Sequence, residues 1–274
     1  MDNNISFHKS LSFKIISIVG VILIISLSVM IYFTTQVITE ETNSLSENRN
    51  LISTEYVKSE IEGFLQLNEG IIKTFSNNNL FESENIDLET LQKELSEIQK
   101  GNDQFKNVYF GSAAGEMILA PSQELPADYD PRDRSWYKNA VEQNEIIWTD
   151  IYKDAATGVL MISVGVPIKT DGEVRGVLAG DITLDYLSEI VSDFSIGENG
   201  FAYITNNQGE LLAHPDSDVL AEKPNMFERF DTNEFKNENK GTFKYQKDSS
   251  EYLTSYTSLP LIQGKIFTQV PLSE

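Results

Sequence analysis

Ile15 to Phe33 reads IISIVGVILIISLSVMIYF, nineteen consecutive residues without a charge. As a helix, a run of that length matches the hydrocarbon thickness of a bilayer. Lys9 and Lys14 precede it and Glu40 and Glu41 follow it, which places the N-terminus on the cytoplasmic side. A cleaved leader is the competing reading, but the run is long for one and no small-x-small cleavage pattern follows. The expectation is a cytoplasmic segment over 1–14, an uncleaved transmembrane helix over 15–33 in the cell membrane, and an extracytoplasmic remainder.

Residues 1–40 hold two acidic and two basic side chains, so the rest of the chain carries the whole net charge of -21. Such a surface repels phosphate backbones and excludes nucleic acid as a partner; its plain use is solubility in an exposed compartment. The sequence has no Cys, which removes disulfides, thiolate metal sites and a Cys nucleophile. His8 and His214 lie too far apart in sequence to make a transition-metal site by themselves. No metal and no cofactor is expected.

The residues after the anchor carry a helical stripe: Val57, Ile61, Phe64, Leu65, Ile71, Ile72 and Phe75, with no Pro between positions 34 and 75. That stripe either packs on its own domain or pairs with its copy in a parallel homodimer. A second helix has Asp87 as N-cap, Leu88, Leu91, Leu95 and Ile98 as its stripe, and Gly101 as its stop. From about Phe105 the pattern changes to strands. Asn107–Gly111 and Glu116–Ala120 read as a hairpin, Ser135–Glu142 as a short helix, and Val159–Ile168 with Val174–Leu184 as two strands joined through Asp171-Gly172. Tyr109 to Pro121 aligns without gaps to Tyr203 to Pro215, with Tyr, Gly, Glu and Pro coinciding. Phe243–Tyr245, Tyr252–Tyr256 and Lys265–Val270 are further strands. The fold class is therefore α+β: helices over 34–104, then two tandem antiparallel modules over 105–196 and 197–274. His214 reads as a turn or strand-end residue, and the acidic stretch Glu228–Lys240 as a solvated loop or helix.

Residues with binding chemistry are densest between Tyr129 and Asp181. They are Tyr129, Arg134, Trp136, Tyr137, Tyr152, Asp154 and Asp181, the last set inside an apolar strand where a carboxylate needs either solvent or a buried cation. A free α-amino acid asks for a guanidinium at its carboxylate. Its ammonium asks for carboxylates and phenolic or carbonyl oxygens. Each residue also has an ordinary use. Arg134 suits an ion pair with Asp133, Asp150 or Asp154; Trp136 and Tyr137 suit the buried face of a helix; Asp154 suits a cap on the turn ending at Gly158.

The anchor, the long helix, the two strand modules and the segment Asp130-Pro131-Arg132-Asp133-Arg134-Ser135-Trp136-Tyr137 together resemble the double-Cache (dCache_1) sensor domain. The resemblance covers nearly everything from the anchor to Glu274. That family serves chemotaxis receptors, sensor histidine kinases and cyclic-di-nucleotide enzymes. It implies PAS-like modules, with the ligand held in the membrane-distal one over 105–196 and the module over 197–274 next to the membrane. Tyr129, Arg134 with Trp136 and Tyr137, Tyr152 with Asp154, and Asp181 match the spaced motif of its amino-acid-binding subset. The resemblance implies that Arg134 and Trp136 hold the ligand carboxylate and that Asp154 and Asp181 hold the amine, with the three tyrosines lining the cleft. It also implies a second membrane helix and a cytoplasmic output module beyond Glu274.

An extracytoplasmic hydrolase is the alternative class. The sequence has no Gly-x-Ser-x-Gly elbow and no His-Glu-x-x-His helix. An Asp154–Asp181 pair for glycoside hydrolysis would leave Arg134 without a task. The expectation is a non-enzymatic receptor for an L-amino acid.

Overall fold

Helix α1 (Leu11–Ser76) begins a computed structural model that describes residues 11–83, 86–222, 224–230, 234–247 and 250–272. The expectations for His8, Lys9 and the rest of 1–10 fall outside the described residues. The chain divides into two units, Met1–Arg49 and Asn50–Glu274. In the first, α1 exposes the side chains of the apolar run, from Val29 at 49% to Ile16 at 70%. Among the described residues this is the one helix long and apolar enough to cross a membrane.

In the second unit, α1 turns its stripe inward: Val57, Ile61, Leu65 and Ile72 are fully buried. They share one core with Phe110 and Leu178 of a first sheet and with Ile204 and Ile266 of a second. The stripe therefore packs on its own domain. Helix α2 (Leu88–Lys100) starts where Asp87 accepts from the amides of Glu89 and Thr90, and stops at Gly101. It buries Leu91 and Leu95, but Leu88 is 41% exposed and lies off the stripe, a correction to the expected face.

Strands β1 (Asn107–Ser112), β2 (Met117–Ala120), β3 (Ile147–Trp148), β4 (Tyr152–Lys153), β5 (Leu160–Thr170) and β6 (Glu173–Thr183) form the first sheet, ordered β2-β1-β6-β5-β3 with β4 also on β5. Asp171 and Gly172 join β5 to β6 with φ of 54° and 84°. Two positive φ values make the tight turn that suits strand twist, which is why Asp-Gly signals it. Helix α3 (Ser135–Gln143) lies against β5, and α4 (Leu184–Ser192) follows β6. The second sheet repeats the plan with β7 (Phe201–Asn206), β8 (Leu211–Ala213), β9 (Lys240–Lys247), β10 (Ser250–Leu259) and β11 (Gly264–Pro271), ordered β8-β7-β11-β10-β9. The aligned sequence segments are the hairpins β1–β2 and β7–β8, both turning through a positive-φ glycine, Gly115 and Gly209.

Short helices α5 (Ser217–Glu222) and α6 (Glu234–Asn237) precede β9. The solvated reading of Glu228–Lys240 needs correction, because Phe230 and Phe235 are buried in an aromatic cluster with Phe227, Phe243, Tyr256 and Phe267. His214 sits just past β8, accepting from the Asp216 amide at 3.0 Å.

Polar bonds, buried at the second sheet and half-buried at the first, fasten α1 to both sheets. Trp148 donates its indole N–H to Glu69 at 2.8 Å. Asn50 accepts from Thr268 Oγ1 at 3.0 Å and donates to the Leu253 carbonyl at 3.3 Å, while the Thr54 and Thr268 hydroxyls meet at 2.6 Å.

Candidate functional site

Asp181 sits on β6, the middle strand of the first sheet, directly opposite Asn107 of β1 and Ser163 of β5. It is 2% exposed. The sequence argument expected either a solvent-facing carboxylate or a buried cation beside it, and the structure holds neither. Three hydroxyls donate to Oδ1 instead: Tyr109 at 2.6 Å, Ser163 at 2.6 Å and Tyr152 at 2.7 Å. Asn107 Nδ2 donates to Oδ2 at 3.0 Å. Burial raises the Asp181 pKa above its ordinary value, and these hydrogen bonds oppose that rise. Burial and the neighbouring negative charge push the Tyr109 and Tyr152 phenols upward, so both stay protonated as donors.

Asn107 Oδ1 is buried and has no hydrogen-bond partner. Leaving such an acceptor unmade costs about 1–3 kcal/mol. Its amide and the Asp181 carboxylate thus present acceptor capacity that the protein's own donors do not saturate.

The Asp-Pro-Arg-x-Arg segment builds the facing wall by separating its two arginines. Asp130 caps the short turn Pro131–Asp133 and holds Arg132 at 2.6 Å, and that pairing draws the Asp130 carboxyl down to about 2. Arg134 is left for the cavity, with its guanidinium 5.6 Å from the centre of the Tyr129 ring. Among the described residues no carboxylate makes an ion pair with it, so the ordinary pairing with Asp133, Asp150 or Asp154 does not occur. Burial lifts the Tyr129 phenol to about 12 against the pull of Arg134. Trp136, at the start of α3, meets Tyr109 edge-on at 4.8 Å. A Cβ on Gly111 would come within 2.6 Å of that indole, so the β1 position admits only hydrogen there.

Asp154 does cap the turn to Gly158, accepting from the Thr157 amide at 2.7 Å and its hydroxyl at 2.6 Å through Oδ1. It also lines the cavity. Tyr129, Arg134, Trp136, Tyr152, Asp154 and Asp181 all border this one space. Tyr137 does not: it lies behind the wall in the apolar cluster with Trp136, Ala140 and Ile147. Asn107, Tyr109 and Ser163 were missed in the sequence. Tyr109 and Asn107 share the inward parity of one strand, and Ser163 interrupts an apolar strand, but nothing local ties them to Asp181. Met117, Leu119 and Leu125 supply the apolar part of the lining. The cavity measures about 20 Å³, room for about one water. Among the described residues no group of His, Asp and Glu is arranged to hold a metal ion.

The chain is 31% identical over 230 residues to methyl-accepting chemotaxis protein PscA of Pseudomonas syringae pv. tomato, covering 81% of this chain and 34% of that protein. McpC of Bacillus subtilis is 33% identical over 123 residues, 44% of this chain and 19% of the relative. The chain thus spans about a third or less of the length of the curated relatives it matches. Among solved structures, the ligand-binding domain of Pseudomonas fluorescens chemoreceptor CtaA with L-isoleucine superposes with a TM-score of 0.72 at 24% identity, over 85% of this chain and 95% of that one. The ligand-binding domain of the Pseudomonas aeruginosa amino-acid chemoreceptor PctC with GABA gives 0.63 at 25% identity, over 85% and 100%. A family model described as a Cache domain matches residues 33–274, everything after the apolar run, and the chain belongs to that family, dCache_1.

Proposed function

We propose that the chain is the membrane-anchored, extracytoplasmic sensor part of a chemotaxis receptor and that it binds a free L-amino acid in the cavity between Arg134 and Asp181. The observation that carries this reading is the buried Asp181 carboxylate, which among the described residues has only neutral donors, beside an Asn107 Oδ1 that has no partner among them. A ligand ammonium would give that carboxylate its counter-charge and that amide its donor. Arg134, without a carboxylate of its own, supplies the two-pronged partner for the other end of the zwitterion. Asp154 keeps Oδ2 free for the ammonium among the described residues, and the Tyr129 and Tyr152 rings close the sides. Relatives named as chemotaxis receptors, and solved relatives holding L-isoleucine or GABA, support the same assignment. An apolar helix before the matched domain supports the anchor, with Lys14 on its cytoplasmic flank.

A space of about 20 Å³ does not admit an amino acid, so binding requires the lining to open and re-close around the ligand. The test is calorimetry of the full chain in lipid nanodiscs with a panel of L-amino acids. Arg134→Ala should weaken the preferred ligand by about 2–5 kcal/mol, roughly 30-fold to several-thousand-fold. Asp171→Ala, in the hairpin turn, should leave affinity unchanged. N-acetylated and amidated analogues should not bind. Equal affinity in wild type and Arg134→Ala would sink the proposed site.

A further inference from the structure

The second sheet carries a buried cation of its own. Lys265 on β11 is 6% exposed and stands directly opposite Ser258 of β10 and Thr205 of β7. Its Nζ donates to the Glu238 carbonyl at 2.9 Å and to Ser258 Oγ at 3.3 Å, and lies 5.6 Å from the centre of the Tyr256 ring. An ammonium has three donors, and the third has no acceptor among the described residues. No carboxylate among those residues makes an ion pair with it either. A desolvated charge with carbonyl, hydroxyl and ring contacts but no counter-ion is an unfavourable arrangement. Burial accordingly lowers the Lys265 pKa.

Lys265 is also one of the residues lining a cleft of about 900 Å³ whose walls include Asn207, Gln208, Asn239 and Gln263, within the usual size range of small-molecule sites. The cleft belongs to the second sheet and shares no lining residue with the Arg134–Asp181 cavity. Glu228 and Glu238 also border it, with Lys236. Those two carboxylates repel a second negative charge on any occupant, and the chain's net charge of -21 acts the same way.

We propose that this cleft is a second ligand site and that it takes a small monocarboxylate, whose oxygens accept from Lys265 Nζ while the wall amides bind its remaining polar groups. The probes are acetate, pyruvate and L-lactate, titrated by ligand-observed NMR onto the full chain in nanodiscs, in a buffer free of carboxylates. At least one should bind saturably. Lys265→Met, which keeps the stem and removes the charge, should weaken it at least about 30-fold. Asn239→Trp, an exposed wall position, should block entry without touching the buried ammonium, and serves if Lys265→Met melts early. Arg134→Ala should leave monocarboxylate binding unchanged, which separates this site from the amino-acid cavity. Absence of binding by all three probes, wild-type affinity in Lys265→Met or Asn239→Trp, or loss of binding in Arg134→Ala would each overturn the proposal.

Discussion

The two sheets share a strand order and a repeated hairpin, yet they use the same face in opposite ways. In the first sheet one cross-strand row reads Tyr109, Ala179, Gly165; in the second the matching row reads Tyr203, Phe267, Tyr256. Tyr203 stacks on Phe267 at 5.1 Å with the rings 6° apart, inside the aromatic cluster of that sheet. Tyr109 meets a methyl and a hydrogen in the same places, and its hydroxyl reaches Asp181 instead. The next row repeats the contrast: Asn107, Asp181 and Ser163 against Phe201, Gln269 and Thr254. Gln269 donates to Thr254 at 3.2 Å, a neutral pair that needs no ligand. Two side-chain volumes and one charge therefore separate an aromatic-filled face from one that borders a cavity, on one backbone plan.

Transplanting a ring tests that statement most severely. Ala179→Phe places the bulk of Phe267 against Tyr109, and it should abolish amino-acid binding while costing about 1–3 kcal/mol of stability through overpacking. Calorimetry and thermal melting read both effects. Retained affinity would show that the small residues are not what keeps the cavity.

Asp181→Asn moves the charged row toward the neutral Gln269 arrangement. Affinity for the amino acid should fall at least about 30-fold, whereas the melting temperature should rise, because a carboxylate whose pKa burial raises is ionised at a cost in the folded state. With the folded value above the unfolded one, wild type should lose stability relative to Asp181→Asn as pH rises from the ordinary Asp value through the raised one. Above that window the gap should stay constant. Paired melts across pH would expose a gap of the opposite sign.

The mildest change is the same substitution in both sheets. Tyr109→Phe removes a donor from the buried carboxylate and should cost about 1.5–3 kcal/mol in stability. The buried Tyr203 hydroxyl has no partner among the described residues, so Tyr203→Phe should be neutral or stabilising by about 1 kcal/mol. Denaturant titration of the two variants compares them directly, and equal losses would erase the distinction.

Where a structural demand is local, the sequence displays it. Asp171-Gly172 marks its turn because both positions need positive φ, and Asp87 marks a helix start because two amides need its oxygens. Asp181 was conspicuous in an apolar strand, but its actual partners come from β1, β4 and β5, and cross-strand registry is not written in adjacent residues. Arg134 was named from the segment alone, but nothing adjacent showed that Asp130 would hold its neighbour Arg132. Tyr137 came in with the motif of the resembled family, whereas here it packs in the apolar cluster with Trp136 and Ala140, the buried helix face that was its ordinary reading. The acidity of Glu228–Lys240 hid Phe230 and Phe235, since composition over a window averages away two inward rings.

The hydrogen bonds from α1 to both sheets have a mechanical meaning. Apolar contacts tolerate sliding, because one methyl replaces another along a greasy stripe. Bonds at Asn50, Thr54 and Glu69 to Thr268, Leu253 and Trp148 tolerate none, since a slip of one helical turn, about 5.4 Å, would strand every partner. The helix is indexed to each sheet at a fixed notch, like a splint tied at two places. Within this unit, axial slippage of α1 past either sheet is the costly motion.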